Sequence, residues 1–128
     1  MTVTLGRMTL PVEDPDAAAR FYADAFGFVT LFDRVLPSGF RAVHIGPPGQ
    51  DAVGLWLFPV EHATAPGHPL LVLYVDYLDA ALDRLAGLGV MPTQGPVRDA
   101  RSAFAHVPDL YGNDVVLVEL DPGAASST

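Results

Sequence analysis

The side chains able to do chemistry in this chain are few, and their types narrow that chemistry at once. Cysteine is absent, which removes thiol nucleophiles, disulfide frameworks and thiolate zinc sites together. Ser38, Ser102, Ser126 and Ser127 stand in no nucleophile elbow, and no glycine-rich phosphate loop is present. What remains is four histidines, His44, His62, His68 and His106, with Arg7 and the aromatic side chains Phe40, Trp56, Phe58, Tyr74 and Phe104. An imidazole titrates near neutrality, so His44 and His106 are the candidate acid–base groups if a reaction is catalysed. A metal site built from the four histidines lacks the local His-x-His or His-x-x-x-Glu spacing that brings ligands together. Arg7 suits a carboxylate or phosphate, or a position over an aromatic face. The aromatic rings suit stacking on a flat or hydrophobic ligand. Taken singly, each has a plainer use in a core or on a surface; their placement together is what argues for a site.

His44 and His106 lie 62 residues apart, and that interval is not peculiar to them. The run Leu10-Pro11-Val12-Glu13-Asp14-Pro15-Asp16-Ala17 is answered by Leu73-Tyr74-Val75-Asp76-Tyr77-Leu78-Asp79-Ala80, a shift of 63, and Gly27-Phe28 by Gly89-Val90, a shift of 62. A period this long marks a duplicated module. Alternation predicts a strand over 3–12, then an acidic, Pro-containing helix start and an amphipathic helix over 17–26 that Gly27 ends. Asp14, Asp16, Asp76 and Asp79 are explained as helix-start residues, where negative charge meets the positive end of the helix dipole. Strands over 28–35, 40–45 and 52–58 follow, punctuated by Pro- and Gly-rich turns. The second copy repeats the order, with a strand at 70–75, a helix at 78–88 and strands at 91–97, 103–107 and 114–120. The expected fold class is α+β: two βαβββ modules in tandem, about 1–60 and 69–122, joined by a linker over 61–68. They form one domain over 1–122, and 123–128 is a flexible tail.

Bulk properties bound the partners. Half the residues are hydrophobic and 17% are charged, enough for a real core without staples. The net charge is −8 and every basic residue is arginine; no basic stripe exists, so nucleic acid is not an expected partner. The N-terminus lacks a charged region followed by an apolar run, and no apolar run is long enough to span a bilayer. The expected location is the cytoplasm, away from membranes.

Three stretches resemble the vicinal oxygen chelate superfamily of glyoxalase I, extradiol dioxygenases and bleomycin-resistance proteins. Val12-Glu13-Asp14-Pro15-Asp16 with Arg20-Phe21-Tyr22 and Phe26-Gly27-Phe28 is similar to that family's opening. Val75-Asp76-Tyr77-Leu78-Asp79-Ala80 is similar to the start of its second half, and Asp109-Leu110-Tyr111-Gly112-Asn113 stands where the family has D-P-D-G-N. The resemblance implies sheets curled around a cleft with helices outside, and a homodimer, sometimes with modules exchanged.

The same resemblance implies four metal-ligand positions, which here fall on Arg7, Leu70, Val116 and, through the 62-residue repeat, Gly54. None of these side chains is a usual ligand for a divalent cation, so the expectation is no metal and no cofactor. Strand parity turns Arg7, Thr9, Leu70, Val72 and Tyr74 toward the cleft and Met8, Leu10, Val12, Leu71, Leu73 and Val75 toward the helices. It turns Phe40, His44, Gly54, Trp56, Phe58, Phe104, His106, Val116 and Val118 inward as well. The candidate ligand-binding set is Arg7, Thr9, Phe40, His44, Trp56, Phe58, Leu70, Tyr74, Phe104, His106 and Val116. The leading expectation is a metal-free binding protein that sequesters or carries a hydrophobic, aromatic metabolite or antibiotic. Its competitor is a lyase-, isomerase- or dioxygenase-like enzyme with relocated metal ligands or metal-free catalysis by His44 or His106. A third, blander expectation is a domain that binds only itself or a protein partner.

Overall fold

The computed structural model describes residues 1–49 and 53–120; the expected tail at 123–128 lies outside them. The chain divides into two compact units at Thr64/Ala65, inside the segment expected as a linker. Unit 1 runs β1 (Arg7–Val12), α1 (Pro15–Phe26), β2 (Val29–Val35), β3 (Arg41–Gly46), β4 (Gly54–Pro59), and unit 2 runs β5 (Pro69–Tyr74), α2 (Leu78–Gly87), β6 (Gln94–Arg98), β7 (Ser102–Pro108), β8 (Asp114–Leu120). Each unit is a βαβββ module with a four-stranded mixed sheet, ordered β1-β4-β3-β2 in the first and β5-β8-β7-β6 in the second. The first strand of each pairs parallel with the last, and the remaining pairs are antiparallel.

Alternation along the strands builds the core. Leu10, Val12, Val43, Ile45, Leu55 and Leu57 are buried in unit 1 beside Ala18, Tyr22 and Ala25 of α1. Ala103, Ala105, Val107, Val115 and Leu117 are buried in unit 2 beside Leu78 and Leu85 of α2. Tyr22 also meets Phe21, Phe26 and Phe28 in an aromatic cluster, with ring centroids 5.5–5.7 Å from Tyr22.

The helices start and stop where local chemistry dictates. Asp14 caps α1 by accepting from the backbone N–H groups of Asp16 and Ala17, and Gly27 closes it in the left-handed conformation at φ 73°. Tyr77 supplies no side-chain cap to α2; Glu119 on β8 accepts from the Leu78 N–H at 2.7 Å instead. An arginine ties each helix start to its sheet. Arg41 donates to Asp16 and Asp33, holding both carboxyls below the usual carboxylate range, and Arg98 bridges Asp79 and Glu119. The acidic residues at 14, 16 and 79 thus serve the helix starts. Asp109 holds the turn before β8, accepting from the backbone of Tyr111 and Asn113 and from the Asn113 amide.

Two strand starts and one side-chain direction differ from the sequence reading. The first strand begins at Arg7 rather than 3, because β4 begins at Gly54, opposite Arg7, and the described structure offers residues 3–6 no pairing partner. The strand expected at 91–97 starts at Gln94, opposite His106. Met8, expected to face the helix, is 49% exposed, and burial in β1 begins only at Leu10, toward the end that leads into α1.

Two glycines allow a close approach in unit 1. A Cβ added at Gly54 would collide with the Ile45 carbonyl oxygen, and one at Gly46 would lie 2.7 Å from the Val53 carbonyl oxygen. Leu31 Cδ1 occupies the space over both. Gly54→Ala should therefore cost about 1–3 kcal/mol. Gly87→Ala, at a helical position where an added Cβ meets nothing within 4 Å, should stabilise by about 0.5 kcal/mol. Urea midpoints of the two variants would check the opposite signs.

Candidate functional site

With the helix-facing positions spent on the core, the opposite face of each sheet is left to carry side chains of other kinds. All eleven expected ligand-binding residues lie at half-buried or exposed positions, and none is buried. In unit 1 the register lines up Thr9, Trp56, His44 and Phe32 across the sheet from β1 to β2. Arg7 stands opposite Gly54, so the bare backbone beside it is the one Leu31 overlies. The rings form a continuous set. Trp56 meets Phe58 at 5.0 Å, Phe40 at 6.4 Å and His44 at 6.0 Å, and His44 lies 5.0 Å from Phe32. The structure thus brings Arg7, Thr9, Phe40, His44, Trp56 and Phe58 together.

His44 is held in a defined state. The Arg7 Nε–H donates to His44 Nδ1 at 3.2 Å, so the ring proton of the neutral imidazole resides on Nε2. Burial, and then the Arg7 charge, push the His44 pKa below the usual histidine value. The Trp56 Nε1–H is sealed from solvent and has no acceptor among the described residues, a state that costs about 1–3 kcal/mol until something accepts it.

Unit 2 repeats the row with different contents. Val72, Val116, His106 and Gln94 line up across the sheet, and Tyr74, Val118, Phe104 and Val97 form the next row. Leu70 precedes Val72 on β5, where the pairing with β8 is irregular between Pro69 and Leu71. Phe104 and His106 are in edge contact at 6.0 Å. His106 Nδ1 lies 2.9 and 3.0 Å from the two Asp114 oxygens. A carboxylate only accepts, so Nδ1 carries the proton and Nε2 of the neutral ring presents a lone pair. His62 and His68 join neither face: His62 is exposed near Glu61 at 3.7 Å, and His68 bonds the neighbouring Pro69 carbonyl.

Sequence reasoning missed Phe32, Leu31 and Asp114. Asp114 shares strand parity with Val116, so alternation alone could have found it. Phe32 and Leu31 depend on the irregular register between Thr30 and Phe32, which no spacing announces. The register also corrects one equivalence. Twelve residues separate His44 from its partner Trp56, but ten separate His106 from Val116, because the β3–β4 connection is two residues longer. Trp56, not Gly54, is the structural counterpart of Val116, and Gly54 that of Asp114.

The four positions at which the resemblance implies metal ligands thus carry Arg7, Leu70, Val116 and Trp56. None offers a lone pair suited to a divalent cation. The Arg7 charge opposes a cation, and Gly54 has no room for a side chain. Among the described residues no three His, Asp or Glu side chains converge as a ligand set. The residues present do not fit a metal.

Residues 4–120 match the family model of the Glyoxalase/Bleomycin resistance protein/Dioxygenase superfamily. The chain is 30% identical to the uncharacterized protein YurT of Bacillus subtilis (strain 168), over 84% of this chain and 92% of YurT. Among solved structures it resembles a member of the same superfamily from Sphaerobacter thermophilus DSM 20745, with a TM-score of 0.77 and 28% identity over 92% of this chain and 98% of the other. It also resembles TnmS3, described as an antibiotic binding protein from Streptomyces sp. CB03234, with a TM-score of 0.74 and 27% identity over 94% and 99% of the two chains.

The setting of His44 has a consequence for stability. Its pKa is lower in the folded chain than in the unfolded one, so the folded state binds fewer protons as pH falls through the unfolded value of about 6.5. The contribution is fully present above that value and is lost as pH drops toward the folded pKa. Between pH 7 and 5 the melting temperature of the natural chain should therefore fall further than that of His44→Gln, as calorimetry at matched ionic strength would check.

Proposed function

Because the chain belongs to the Glyoxalase/Bleomycin resistance protein/Dioxygenase superfamily, its function is to be sought within that range, and we propose that it is a metal-free small-molecule binding protein. It sequesters or carries a hydrophobic, aromatic metabolite or antibiotic on the open faces of its sheets, in the cytoplasm and as a homodimer. The observation that carries this reading is the aromatic face of unit 1, where Phe40, Trp56, Phe58, His44 and Phe32 adjoin one another and where no set of metal ligands converges among the described residues. Stacking and shape recognise a planar guest without any reactive group. The likeness to an antibiotic binding protein points the same way. Each sheet leaves edge strands open to pairing, a feature that suits assembly with a second copy. No helix among the described residues is long and apolar enough to cross a membrane.

A second reading follows from His106 and Asp114. A carboxylate on Nδ1 orients an imidazole and leaves Nε2 able to take a proton from a bound substrate, which is how a metal-free acid–base catalyst begins. Turnover that survives chelators and disappears in both His106→Gln and Asp114→Asn would favour this reading over simple binding.

The chain has one tryptophan, and it lies in the candidate site, so its fluorescence reports occupancy directly. Planar aromatic compounds should quench Trp56 saturably, with or without EDTA. Phe58→Ala should weaken the affinity about 3- to 10-fold, the worth of one aromatic contact. A stoichiometric transition metal in the purified protein, or no saturable response across a panel of fused-ring aromatics, would sink the proposal.

A further inference from the structure

The duplication placed two histidines at equivalent points, and the chain has given them opposite polarity. His44 sits opposite Trp56 in unit 1 and His106 opposite Val116 in unit 2, each half-buried in the third strand of its module. The Arg7 Nε–H occupies Nδ1 of the first, and the Asp114 carboxylate occupies Nδ1 of the second. The first ring therefore turns a donor, Nε2–H, toward whatever it meets, whereas the second, in its neutral form, turns an acceptor. Aromatic superposition does not explain this difference, because a phenylalanine at either position would stack as well.

We propose that the unit 1 face recognises a carbonyl oxygen carried on a planar aromatic ring, the aryl ketone class, by hydrogen bonding from His44 Nε2–H while the ring system stacks among Trp56, Phe58 and Phe40. Arg7 is the positioning residue that fixes the donating tautomer. The inference rests on the binding reading above and adds the chemical group that the site selects. A further observation supports it. Burial and the Arg7 charge keep His44 neutral around pH 7, so its donor is an uncharged one matched to an uncharged acceptor.

The test uses 9-fluorenone and fluorene, two planar molecules of nearly the same shape, one with a carbonyl and one without. Dissociation constants come from Trp56 quenching, checked by calorimetry. The natural chain should bind the ketone about tenfold more tightly than the hydrocarbon, the scale of a hydrogen bond formed out of water. His44→Phe, which keeps the ring and loses the donor, should bring the ratio to about one. Arg7→Met should lower it to about threefold by freeing the tautomer. Nitrogen-15 NMR of the natural chain should find the His44 proton on Nε2, a readout independent of any variant's folding. Tight but equal binding of both compounds would overturn the carbonyl inference and leave the binding reading standing. A proton found on Nδ1 would likewise overturn the inference alone. Failure of both compounds to bind would overturn the two together.

Discussion

The structure depends on the two-residue period of its strands. A four-stranded sheet with one helix on one face buries chiefly every second side chain of the strands beneath that helix. In both units that requirement is met by aliphatic residues: Leu10, Val12, Val43, Ile45, Leu55 and Leu57 in the first, and Ala103, Ala105, Val107, Val115 and Leu117 in the second. Each such burial contributes on the order of 1.5–3 kcal/mol for a Val or Leu side chain, so the parity of β1, β3, β4, β7 and β8, which carry these residues, is fixed firmly. Once it is fixed, the other face is free to hold arginine, histidine, tryptophan and phenylalanine at no expense to the core.

That freedom is where the modules have diverged. The helix-facing contents of the two copies are close equivalents, and so is the arginine anchor at each helix start, although Arg41 comes from β3 and Arg98 from β6. The open faces are not equivalent. Unit 1 has a connected aromatic set with a neutral, donor-bearing imidazole. Unit 2 has aliphatic Val72, Val116 and Val118 beside Phe104, with an imidazole whose outer nitrogen accepts. Fold membership alone does not assign a function to either face, because one superfamily fold serves several chemistries and the residues of the site must choose among them.

The glycines of unit 1 illustrate how tightly the open face is coupled to the backbone. Gly46 and Gly54 let β3 and β4 approach so closely that a methyl group would strike backbone oxygen, and Leu31 lies over both. The irregular register at Leu31 sets Phe32 opposite His44. One local distortion thus covers the bare backbone beside Arg7 and places an aromatic ring against the imidazole.

The sequence by itself determined the duplication, the order of the elements, the capping by Asp14 and Gly27, and the division of strand residues into two faces. These follow from chain-local rules: period two, period 3.6, and the conformational needs of helix ends. It also made plain that Arg7, Leu70 and Val116 offer a metal nothing. Only the tertiary structure decided which residues meet across strands. A difference of two residues in a connecting loop moved the counterpart of Val116 from Gly54 to Trp56, and a bulge brought Phe32 to His44. The pairing of His44 with Arg7 and of His106 with Asp114 likewise came from register. Register is set by the sum of packing and hydrogen bonds over a whole sheet, and no single interval along the chain encodes that sum.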